Sequence, residues 1–87
     1  VATVAHRRSA DLSLLQRTFV AVGDELTGRY VALHDEARDE QEKQCWMDRV
    51  IDVRERKRSV AATDREALNR CIEEWSRTLE VLRSIAP

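Results

Sequence analysis

Eighty-seven residues are enough for one small domain, whose single core is marginal unless it packs well or oligomerises. Hydrophobic residues make up 43% and charged residues 36%, a globular balance that excludes a disordered chain. Fifteen Lys and Arg against sixteen Asp and Glu give a formal charge of -1, so no whole-chain field draws the protein to nucleic acid or to a membrane.

With two glycines and one proline, the terminal Pro87, the chain has almost no turn punctuation. Strands need frequent turns and β-branched runs, so the expected class is all-α. The opening VATVAHRRSADLSLL lacks a long apolar core before a small-residue cleavage site. Neither a signal peptide nor a membrane span is expected, and the default location is cytoplasmic.

Residues 1–8 read as a loose arm ending in Arg7 and Arg8. Ser9 is the expected N-cap of a first helix, with Asp11 in its first turn to offset the helix dipole. Leu12, Leu15, Phe19, Val22, Leu26, Tyr30 and Leu33 then recur at spacings of three and four, an amphipathic stripe. Gly23 and Gly28 fall inside it. Each costs about 1 kcal/mol relative to Ala in a helix, yet the stripe keeps its phase across both.

His34 to Gln44, HDEARDEQEKQ, contains no Gly or Pro and a single apolar residue, Ala37. Good helix formers of this kind predict that the helix runs straight through. The stripe resumes at Trp46, Val50 and Val53, flanked by Met47 and Ile51, and ends in Arg54-Glu55-Arg56-Lys57-Arg58, where cations oppose the negative end of the dipole. After a short connection at 59–62, Thr63-Asp64-Arg65-Glu66 matches a capping box, with Thr63 as N-cap. The last helix carries Leu68, Ile72, Trp75, Leu79, Leu82 and Ile85 on one face and runs to about Ser84. The expected fold is one domain over 1–87: a long helix over about 10–58 and an antiparallel helix over about 63–85.

Folding the last helix back about residue 61 places Val53 by Leu68, Val50 by Ile72 and Trp46 by Trp75, because both helices rise at the same rate. The same register sets Leu79 and Leu82 against acids of the polar stretch and leaves them uncovered, along with the stripe from Leu12 to Leu33. Each exposed side chain forgoes roughly 1.5–3 kcal/mol, so both surfaces should be covered. The preferred solution is a dimeric helical bundle in which each N-terminal half docks on the other copy's hairpin. The alternative is a monomeric three-helix bundle bent at Gly23 to Gly28. Cys45 and Cys71 are offset by roughly 9 Å along the axis in this register, so no intrachain disulfide is expected.

Three constellations bear on chemistry. Arg29 and His34 form R-x4-H, RYVALH, which resembles the RNase motif of HEPN domains over six residues; the polar residue those domains often place after the Arg is absent. The resemblance implies a nuclease pair, but a motif outside its structural context does not carry an activity, and solvated Arg and His are the adopted reading. Glu36-x-x-Asp39 and Asp52-x-x-Glu55 resemble the paired carboxylates by which all-helical nucleotide pyrophosphohydrolases hold Mg²⁺, without keeping that family's E-x-x-E…E-x-x-D order. One straight helix would hold the pairs about 24 Å apart, so a solvated acidic face is adopted instead. The size and hairpin are loosely similar to small WXG-type proteins, but Trp46 is followed by Met47-Asp48 where those have their Trp-x-Gly turn.

The basic residues Arg49, Arg54, Arg56, Lys57 and Arg58 could contact nucleic-acid phosphates, although Asp48, Asp52 and Glu55 dilute the patch and no aromatics are interleaved to stack on bases. The function expected is therefore a non-enzymatic protein–protein interaction module, an adaptor, regulator or assembly subunit. Self-association into a homodimer is favoured, with a further helical protein as a second kind of partner. Its expected interface is Leu12, Leu15, Phe19, Val22, Leu26, Leu33, Leu79 and Leu82. A nucleic-acid-binding or antitoxin-like regulator is the alternative. No catalytic residue, cofactor, metal or membrane contact is expected.

Overall fold

In a computed structural model the chain forms three α-helices: α1 over Ala2–Glu36, α2 over Glu40–Ser59 and α3 over Arg65–Ile85. The structure describes the backbone of residues 2–85 and the side chains of residues 11–85, and no strand occurs among them. Helix α1 begins at Ala2, so Ser9 lies inside it rather than capping it, and helical backbone already covers most of the expected arm.

The polar stretch does not carry one helix through. Helix α1 stops at Glu36 and α2 restarts at Glu40. Asp39 is extended, with φ -131° and ψ 164°, and the Glu42 N–H donates to its Oδ1 at 2.7 Å. With Glu40 and Glu42 in the first turn, Asp39 supplies the cap and the acids that a helix start needs. Helix propensity favours continuity by only tenths of a kcal/mol per residue, and a broken turn loses a few hydrogen bonds worth about 1 kcal/mol each. Folding α2 back buries several large side chains at roughly 1.5–3 kcal/mol apiece, and that term wins. The bend therefore lies at 37–39, not at Gly23 to Gly28, where α1 is uninterrupted.

Helix α1 is the spine. Both α2 and α3 pack along it, while no Cα of α2 comes within 8 Å of one in α3. The expected α2–α3 hairpin is thus not closed, and the two Trp residues do not meet each other. Trp46 stacks on Tyr30 with ring centroids 5.9 Å apart and 28° between planes; Trp75 stacks on Phe19 at 5.1 Å and 17°. Both α1 aromatics come from the apolar stripe, which reaches both partners because it is wide.

The connection explains the changed register. Val60 leaves α2 in extended conformation, φ -78° and ψ 120°, and the Gln16 side-chain amide donates to the Ala62 carbonyl at 2.6 Å. The chain therefore travels along α1 before α3 starts, which shifts α3 away from the register of a tight turn. Asp64, not Thr63, caps α3: its Oδ1 accepts the Ala67 N–H at 3.0 Å, and Glu66 pairs with Arg70 instead of reaching back.

The core comprises Phe19, Leu26, Tyr30, Val50, Val53, Leu68, Cys71, Trp75, Leu79 and Leu82, with Leu12, Leu15, Val22, Leu33, Trp46, Met47, Val60 and Ile72 packed partly buried against it. Leu79 and Leu82 are covered by the chain's own α1 and do not face the acids of the polar stretch. The Arg83–Glu25 pair at 2.9 Å fixes the same end of α3 against α1, while Arg56–Glu74 at 3.1 Å spans the gap between α2 and α3.

Gly23 sits where these elements converge. A Cβ built there would lie 2.9 Å from Cζ3 of Trp75 and 3.2 Å from Cδ of Lys57, whereas one at Gly28 meets nothing within 4 Å. The first glycine makes room for an indole against bare helix backbone, and the second has no such role. Gly28→Ala is expected to raise stability in urea melts by about 1 kcal/mol, the helix-propensity gain alone. Gly23→Ala is expected to lower it by about 1–2 kcal/mol, because the indole is held by Phe19 and cannot retreat freely. Phe19→Asp or Leu26→Asp should unfold the chain, seen as lost helical circular dichroism, rather than leave a folded hairpin.

Candidate interaction surfaces

Helical periodicity decides what the outside of the bundle offers. The core stripe of α1 faces α2 and α3, which leaves Val20, Asp24, Thr27, Val31 and Asp35, spaced by threes and fours, on an outer flank. On α2, Met47, Ile51, Arg54 and Arg58 share a second stripe of the same spacing. Asp24, Thr27, Val50, Arg54, Lys57 and Arg58 together line an open groove of about 360 Å³, so the two stripes border one another on one side of the molecule. Val31 and Ile51 are 40% and 41% exposed, a large apolar side chain on each helix. Other exposed apolar residues are Leu14 and Val20 on α1, and Val81 and Ile85 on α3.

The basic residues are not equivalent. Lys57 pairs with Asp24 and Arg56 with Glu74, so both serve the fold. Arg49 lies over the Trp46 ring, 5.8 Å from its centroid, and its pKa is raised, chiefly by the Tyr30 hydroxyl and further by Cys45. Arg54 and Arg58 are exposed, with no ion-pair partner among the described residues. Arg7 and Arg8 lie outside the described side chains. A five-residue basic patch in the sequence thus reduces to two available guanidinium groups at one-turn spacing.

The eight apolar residues expected at an interface are in or against the chain's own core. Phe19, Leu26, Leu79 and Leu82 are buried, and Leu12, Leu15, Val22 and Leu33 are half-buried against them. Within one chain, α2 and α3 pack along the α1 stripe. Sequence reasoning passed over Val31 and the Met47–Arg58 stripe; the signal was there in the second set of threes and fours running along α2.

Neither chemical motif is assembled. Arg29 is exposed, and His34 is half-buried with its Nδ1 3.2 Å from Asp35 Oδ1. Glu36 closes α1 while Asp39 caps α2, so the helix break separates a pair expected on one face. No group of three or more His, Cys, Asp or Glu among the described residues could hold a metal ion. No described helix is long and apolar enough to cross a membrane. A cleft of about 130 Å³ between α2 and α3, floored by Leu26 and Tyr30, is too small for more than a few waters and is walled by Arg49, Asp52, Arg56 and Thr78.

The indole N–H of Trp46 is buried without an acceptor among the described residues, a loss of about 1–3 kcal/mol. Cys71 is fully buried between α1 and α3, and burial pushes its thiol above the usual range, while Cys45 is exposed. Comparisons of the chain with protein-family models, curated proteins and solved structures found no match.

The two thiols should therefore differ in reactivity. At neutral pH one thiol, Cys45, should react with a disulfide reagent in the native protein and the second only after unfolding. A raised folded pKa favours the neutral thiol, so this contribution is full below the unfolded thiol pKa and is lost as pH climbs through it toward the higher folded value. Cys71→Ser should remove that alkaline loss, read from urea midpoints above pH ~9.

Proposed function

We propose that the protein is a small non-enzymatic interaction module that self-associates through the outer faces of its helices and serves as an adaptor, regulator or assembly subunit. The observation that carries this reading is surface left over. The chain exposes 6429 Å², against about 5,300 Å² for a compact monomer of its mass. Its radius of gyration is 15.7 Å, where a compact chain of this length has about 12 Å. The excess, roughly 1,100 Å², is comparable to what one partner contributes to a standard interface. Among the described residues, Leu14, Val20, Val31, Ile51, Val81 and Ile85 make part of the exposed surface apolar.

A nucleic-acid-binding regulator is supported by Arg54 and Arg58, which line the groove without acidic partners. Two phosphate contacts give a log–log salt slope of only about -2, a weak hold beside the six to ten contacts of a committed binder. Protein contact is therefore the better reading.

Sedimentation equilibrium across the micromolar range is expected to show a mass approaching twice 10.1 kDa. A monomeric mass throughout overturns self-association. Binding to random duplex DNA that falls steeply with salt would favour the regulator instead.

A further inference from the structure

We draw no further inference here: the strongest candidate, the exposed face between α1 and α2 where Val31 and Ile51 stand beside the groove lined by Arg54 and Arg58, carries no proposal because nothing in the structure shows what covers it.

Discussion

The bundle depends on the contact between Trp75 and the backbone of α1 at Gly23. A glycine inside a helix is a cost, and here it makes room for the Cζ3–Cη2 edge of an indole whose face stacks on Phe19. The same position touches the Lys57 stem, so one residue of α1 adjoins both other helices. Once Trp75 is seated, Leu79 and Leu82 follow it onto α1, and Arg83 finds Glu25. The aromatic pair supplies about 0.5–1.5 kcal/mol beyond its buried area, enough to prefer this seat over neighbouring ones along the same stripe.

That seat also explains the shape. Because α3 is placed by α1 rather than by α2, it is staggered relative to α2, and the two touch only through side chains such as Arg56 and Glu74. A three-helix bundle with closed edges would leave little to offer a partner. This one is extended, 58 Å by 26 Å by 15 Å, and exposes large apolar side chains on each of its three helices. The proposed function takes its support from this geometry.

Much of the fold is legible in the residues. The α1 stripe, the end of α2 in a basic turn and the extent of α3 are all set by periodicity and dipole chemistry close to where they fall. Asp39-Glu40-Gln41-Glu42 also spells a cap, although the surrounding helix formers mask it. Cys45 and Cys71 remain free thiols, in keeping with their spacing. What could not be read was which surface covers which. The pairing of Trp46 with Trp75 matched a hairpin register by number alone, and nothing in the sequence weighed it against stacking on Tyr30 and Phe19.

By itself the sequence determines a helical chain of one apolar face per segment, with too little turn chemistry for anything else. Only the tertiary structure decided that the polar stretch HDEARDEQEKQ breaks, that the chain's own α1 covers Leu79 and Leu82, and that Arg56 and Lys57 of the basic run are taken up by Glu74 and Asp24 while Arg54 and Arg58 stay exposed. The physical reason is one of scale. Local preferences differ by tenths of a kcal/mol per residue, while the choice of neighbours for a dozen buried side chains involves far more. Propensity therefore fixes what the segments are, and burial fixes where the chain turns.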